Sequence, residues 1–270
     1  MINKKTFYKT FFLLLVFFCL GLFFSIPKPS LTNIANAARH DSLKHHFDYL
    51  PAIHPHDEII KHTAFTLCYS EPHEQAKWVA YQLTAEMCEN KGEERTNNFR
   101  IDEDVKTGSA SPDDYKKSGF DRGHLCPAGD MGWSEQTMSE SFFMSNMSPQ
   151  RPGFNRGIWK KLETDVRGWA KKNNEIYIVT AGVLEDSLPT IGEDKVAIPR
   201  YYYKVILDYK KPEYKAIGFI LANEGSKQSV FDFAVTIDSV EHLTGIDFFP
   251  ALPDSLEHFL ESHINLEKWE

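Results

Sequence analysis

The sequence predicts an α+β domain: a mainly antiparallel central sheet flanked by helices. Two pairs of alternating runs rich in β-branched and aromatic residues, each pair joined by a short turn-forming segment, read as hairpins. One long stretch changes to a helical period instead. After about residue 60 no Pro/Gly/Ser-rich linker, low-complexity block or repeat divides the chain, so a single domain is expected.

Taken in order, the chain opens with Lys4, Lys5 and Lys9 ahead of an apolar run from Phe11 to Phe24, and Ala35-Asn36-Ala37 follows. A charged start, a short apolar core and an Ala-x-Ala site are the marks of a secretory signal. The run is shorter than the roughly 20 residues that span a bilayer. Residues 1–37 are therefore read as a signal peptide or an uncleaved N-terminal anchor. The protein is expected to be exported: secreted, periplasmic, or held at a membrane by that segment alone. Residues 38–60 form a His-rich arm, with His40, His45, His46, His54 and His56 followed closely by His62. Their spacing is not that of a metal site, so a solvated, partly extended arm is expected. The main domain is assigned to residues 61–270.

Thr63–Tyr69 and Trp78–Leu83 flank Glu71-Pro72-His73-Glu74 as the first hairpin. Ser141–Met147 is a short apolar strand before Pro149, and Glu175–Val183 a buried strand ending at Gly182. Tyr201–Asp208 and Ala216–Ala222, around Lys210-Lys211-Pro212-Glu213, form the second hairpin. Between Pro152 and Asn173 the apolar residues Ile158, Leu162, Val166 and Trp169 recur at helical spacing. A second helix is expected from near Pro253 to His263, with Asp254 as its N-cap.

The 270 residues carry a formal charge of −8, and removing residues 1–37 loses four lysines and no acid, leaving −12. A surface that is basic throughout is excluded. A local basic face is not: Arg151, Arg156, Lys160, Lys161, Arg167, Lys171 and Lys172 crowd one stretch against Glu163 and Asp165. Beyond the N-terminal segment lie Cys68, Cys88 and Cys126, an odd number. Cys68 is expected opposite Ala80, with Cys88 too far along to reach it, so no framework disulfide is predicted.

The chemistry concentrates in Asp121-Arg122-Gly123-His124. Alone, these four residues read as a turn with a buried histidine. With Asn155 and Glu163, eight residues apart on one side of the helix with Trp159 between them, they offer a proton acceptor, a phosphate-binding guanidinium and oxygens suited to a hard cation. That combination points to metal-assisted phosphodiester hydrolysis. Zinc is disfavoured, because Cys126 and His124 lack a second Cys/His pair at suitable spacing.

Further segments fall into the same order: Trp78-Val79-Ala80-Tyr81, Arg95-Thr96-Asn97-Asn98-Phe99-Arg100-Ile101-Asp102, Ser145-Asn146-Met147-Ser148-Pro149-Gln150, and Leu162-Glu163. With these the chain resembles the DNA/RNA non-specific endonucleases of the ββα-metal (His-Me finger) class, over about residues 50–260. The resemblance implies a ββα-metal active-site motif and a sequence-non-specific endonuclease acting on DNA and RNA. It gives His124 as the general base that deprotonates water. Asn155 becomes the direct protein ligand of Mg²⁺, with Mn²⁺ as a substitute, and Glu163 the residue that binds a water on that metal. Arg122 and Arg95 (Arg100 being the other candidate for the upstream arginine) would stabilise the charged phosphate, and Asn146 would complete the site. Asp121 is read as structural. No stable protein partner is implied. Two other readings share these residues: a phosphodiesterase of small nucleotides, and a nucleic-acid-binding protein without catalysis.

Overall fold

The computed structural model describes residues 47–90 and 92–270. The segment read as a signal or anchor, and His40, His45 and His46, lie outside the described residues. From Asp48 to Glu270 the chain forms one compact unit. Among the described residues no helix is long and apolar enough to cross a membrane.

The core is a seven-stranded antiparallel sheet in the order β1-β2-β3-β6-β9-β10-β11. Its strands are β1 (Glu58–Lys61), β2 (Phe65–Ser70), β3 (Gln75–Thr84), β6 (Glu175–Gly182), β9 (Tyr201–Lys210), β10 (Glu213–Ala222) and β11 (Ala234–Val235). Both predicted hairpins form, as β2–β3 and β9–β10. The register of the first differs from expectation: Cys68 faces Trp78, and Thr66 faces Ala80. The turn is tighter than the sequence suggested, because Glu74 takes a left-handed conformation (φ 51°) and β3 starts at once at Gln75. A bulge at Cys68–Tyr69 absorbs the odd residue. Cys68, Cys88 and Cys126 are all buried as thiols.

His62 departs from the solvated arm expected for it. Its side chain is only 4% exposed and hydrogen-bonds Asp102. Nor do residues 58–60, placed in the arm, belong to a loose segment, since β1 pairs along its length with β2.

Helix α1 (Ala85–Glu89) ends the run of strands, and the chain then leaves the sheet until β6. Within that excursion a separate two-stranded ribbon pairs β4 (Asp121–His124) with β5 (Met147–Gln150), and α2 (Glu135–Glu140) lies between them in sequence. The strand expected over Ser141–Met147 begins only at Met147, because a tight turn occupies Met144–Asn146. Asn146 explains the difference. Its side-chain amide bonds the carbonyls of Cys126 and Ser141 and accepts from the Cys126 N–H, which ties the backbone into a turn.

The long helix follows β5, and Ile158, Leu162, Val166 and Trp169 are buried as their period requires. Its start is not regular. Phe154–Trp159 is a π-turn kinked at Gly157 (φ −105°, ψ −112°), and the α-helix proper, α3, runs Lys160–Asn173. Trp159, expected on the same side as Asn155 and Glu163, is fully buried against Phe154 and Tyr202. The two short strands β7 (Thr190–Ile191) and β8 (Val196–Ala197) form a second small ribbon.

Helix α4 (Ile237–Thr244) was not anticipated, although Thr236 caps its start and Gly245 (φ 69°) ends it. It packs on β10 at Gly218, where a Cβ would come within 2.9 Å of Val240. The last helix, α5 (Asp254–Ser262), has Asp254 as its first helical residue rather than its cap; Pro253 takes the flanking position.

Candidate active site

The ribbon and the long helix bring the chemistry-bearing residues to one cleft of about 540 Å³, lined by Arg95, Arg122, His124, Asn155, Arg156, Lys160, Glu163 and Arg167 among others. The β4–β5 pairing sets His124 opposite Met147 and Arg122 opposite Pro149. Gly123 is required between them. The Gln150 side chain crosses its Cα so closely that a Cβ there would lie 2.2 Å from Gln150 Cδ.

His124 is 8% exposed and its Nε2 is buried without a hydrogen-bond partner. The rings of Phe142 and Phe99 meet it edge-on, with centroids 4.9 and 5.7 Å away. Burial, and then the charge of Arg95, push its pKa down to about 3. The ring is therefore neutral at physiological pH and free to accept a proton. Among the described residues no hydrogen bond to this ring is found. The two aromatic edges orient it instead.

Asp121 organises the other wall. Its carboxylate accepts from Asn155 Nδ2 (2.9 Å) and from Arg156 Nε (2.8 Å) and Nη2 (2.6 Å). Burial alone would raise its pKa, but the donors Arg156 and Asn155 hold it below the usual carboxylate range. Asp121 is thus structural, as read from the sequence. Because the Asn155 amide nitrogen is tied down, its oxygen is the atom left for a cation.

Two upstream arginines were candidates, and the geometry separates them. Arg95 lines the cleft, lies 4.8 Å over the Phe142 ring and is held by Asn97. Arg100 does not line it; it stacks on Phe143 at 3.9 Å and donates to the Ser139 carbonyl. Arg122 sits 4.2 Å over Phe99. Asn146 does not line the cleft either. It is fully buried, and its three bonds join the loop after His124 to the turn before β5.

Behind Glu163 lies a buried charge cluster. Arg167 donates to Asp130 (2.8 Å), which also accepts from Tyr81 (3.1 Å). Lys204, on β9, is fully buried with Nζ unpartnered, 4.8 Å from the Trp159 ring. Burial raises the Glu163 carboxyl and lowers the Lys204 ammonium, and the charge of each opposes the shift of the other.

The profile of the DNA/RNA non-specific endonuclease family matches residues 50–255. The chain belongs to this family. Among its members, the mitochondrial nuclease EXOG of Danio rerio is 34% identical over 207 residues, which cover 71% of this chain and 60% of that protein. Mitochondrial endonuclease G of Homo sapiens is 31% identical over 201 residues, 69% of this chain and 68% of its own. A crystal structure of the EndoG/EndoGI complex, described as the mechanism of EndoG inhibition, superposes with a TM-score of 0.70 at 30% identity, covering 76% of this chain and 89% of that one. The α+β fold with its large antiparallel sheet and ββα unit is thus the family's.

The export expected from residues 1–37 is corrected by the same relatives, which are named as mitochondrial proteins. The secreted, periplasmic and anchored locations fall with it.

Three residues beside Glu163 were not singled out as site residues, Arg167 having been read only as part of the basic stretch. Arg167 sits one helical turn beyond Glu163, so the Glu-x-x-x-Arg spacing could have shown it. Asp130 gave no signal. Nor did Lys204, which lies inside the otherwise apolar run Tyr201–Leu207.

Proposed function

We propose that this protein hydrolyses internal phosphodiester bonds of DNA and RNA without sequence preference, using His124 as the base. The observation that carries the reading is the cleft itself. A neutral, unpartnered imidazole faces the same space as Arg95, Arg122, Arg156, Lys160, Arg167, Asn155 and Glu163.

The donor set fits a divalent cation that keeps most of its waters. One amide oxygen of Asn155 is oriented by Asp121, and the Glu163 carboxylate shares the cleft. Asn155 would hold Mg²⁺, with Mn²⁺ able to replace it, and Glu163 would bind its water. Such a cation supplies charge neutralisation on the leaving oxygen.

The chain's own residues do the rest. Arg122 and Arg95 receive the scissile phosphate, and their guanidinium groups offset the charge that builds on its oxygens in the transition state. His124 takes a proton from the attacking water. In the free protein Arg95 helps to depress the imidazole, which makes it a weak base. Burial is the larger cause of that depression and Arg95 the smaller; an anionic phosphate between the arginines would offset only the Arg95 part. The contacts available are to phosphate rather than to base edges, which gives indifference to sequence. Nothing in the set requires a 2′-hydroxyl.

Degradation of supercoiled plasmid, linear DNA and RNA, with and without excess EDTA, tests the proposal. Loss of intact polymer that stops on chelation is expected. Full activity in EDTA would overturn the metal-dependent reading, and faster turnover of mononucleotide esters than of any polymer would favour the small-substrate alternative.

A further inference from the structure

Between α1 and β4 the described residues 92–120 form no helix or strand, and this irregular segment carries Arg95 to the cleft and Phe99 to the side of Arg122 and His124. Phe99 supports Arg122 at 4.2 Å and touches His124 edge-on at 5.7 Å. Long irregular segments hold a fixed course only where something fastens them. Backbone bonds of Arg100 to Phe142 and Met144 provide one fastening, and a second, buried one is at Asp102, three residues past Phe99 and only 1% exposed.

The Asp102 carboxylate is ionised, since despite its burial the donors His62 and Ser145 lower its pKa. It can therefore only accept hydrogen bonds. His62 Nε2–H donates to Oδ2 at 2.9 Å, Ser145 Oγ–H donates to the same oxygen at 2.5 Å, and the Asp104 N–H donates to Oδ1 at 3.2 Å. The Asp102 N–H in turn donates to Ser109 Oγ at 2.8 Å. His62 is itself wedged between the rings of Phe65 and Phe143, each centroid 4.8 Å away. Three separate parts of the chain thus meet at one carboxylate: the end of β1, the irregular segment, and the turn containing Ser145 and Asn146. His62, Asp102 and Asp104 stand close enough together to suggest a cation site. With His62, Ser145 and a backbone N–H already donating to the Asp102 oxygens, the group is satisfied by protons instead.

We propose that His62, Asp102 and Ser145 form a buried clamp that positions Arg95 and Phe99 against His124 and Arg122. His62 is then a positioning residue for the reaction, although it lines no part of the cleft. Its work is to set the geometry of a site built elsewhere in the sequence. The inference rests on the nuclease reading for its kinetic consequence, but the clamp itself can be seen without turnover.

The test uses the full chain with His62→Leu, His62→Gln, Ser145→Ala and Arg95→Ala, singly and with His62→Leu combined with Arg95→Ala. His62→Leu should lower kcat on plasmid by about 10- to 100-fold, in the range that misplacing catalytic groups produces, at an unchanged metal requirement. His62→Gln, which keeps a donor toward Asp102, should recover much of the loss. Adding Arg95→Ala to His62→Leu should cost far less than Arg95→Ala alone, because the arginine is already displaced. Hydrogen exchange should show faster amide exchange at residues 98–102 in His62→Leu, a readout that does not need activity. Should His62→Leu fail to fold, Ser145→Ala removes one donor without a large cavity and carries the same exchange and kinetic expectations at smaller size. Wild-type kcat in a folded His62→Leu protein, effects that simply multiply, or unchanged exchange would overturn the clamp. A loss of metal affinity in His62→Gln would show a cation site instead. An inert wild-type protein with the exchange difference intact would sink the nuclease reading and leave the clamp standing.

Discussion

Burying an imidazole beside a guanidinium disfavours its charged form twice, by desolvation and by repulsion, and His124 shows both. Catalysis and stability respond in different ways. Removing the base in His124→Ala should cut plasmid hydrolysis by about 10²–10⁴-fold while circular dichroism and thermal melting report an intact fold; near-normal hydrolysis would rule out this base. For stability, the imidazole keeps its ordinary pKa of 6.5 when unfolded and falls to about 3 when folded. Between those values the unfolded chain binds the extra proton. The contribution is therefore complete above pH 6.5 and is lost as pH falls toward 3, by a few kcal/mol at most. His124→Gln should flatten the dependence of Tm on pH across that window, and an unchanged slope would show that other groups govern it. Asn155→Ala should raise the metal concentration needed for half-activity. Glu163→Gln should raise it less, because its contact would pass through water. Equal metal titrations for wild type and Asn155→Ala would remove Asn155 as the ligand.

At the level of the element, the β4–β5 ribbon depends on a missing side chain. Gly123→Ala would drive a Cβ into Gln150, whose own side chain is fully buried and has little room to yield. A loss of about 1–3 kcal/mol is expected, as for other overpacked interiors, and chemical denaturation would measure it. Pairing Gly123→Ala with Gln150→Ala should restore part of the stability; no restoration would mean that the strain lies elsewhere. The same ribbon marks the boundary of what the residues foretold. Asp121–His124, Asn155 and Glu163 were legible because each is a chemical type at a distinctive spacing, and both large hairpins because alternation is a strong signal. The π-turn at Gly157 and the turn at Asn146 were not. The Asn146 turn depends on its amide reaching backbone groups as far off as Cys126, and neither feature breaks a local pattern. Lys204 was hidden for a related reason: both faces of β9 are buried, so the alternation that would assign a lysine to solvent does not hold.

The whole molecule presents its cations unevenly. On a chain of formal charge −8, Arg156, Lys160 and Arg167 from one helix join Arg95 and Arg122 in the cleft. Long polyanions should therefore bind by releasing counterions, with degradation falling steeply as salt rises. Lys160→Glu should raise KM for plasmid more than Lys161→Glu, since only the former lines the cleft. Equal and negligible effects of both reversals would remove the helix from the substrate path.

All the residues of the cleft lie between Thr84 and Glu175, which are themselves partners in the β3–β6 ladder, and Ala85 N–H donates to the Asn174 carbonyl at 2.8 Å. This arrangement imposes an order in time. The β2–β3 and β9–β10 hairpins need only short closures, whereas zipping β3 to β6 must first draw together ends separated by about ninety residues, and the entropy of that loop has to be met before the pairing is rewarded. Strand content should thus appear early on refolding and nuclease competence late, with an inert species between them. A chain in that interval would hold much of its sheet while the residues of the cleft are still unassembled.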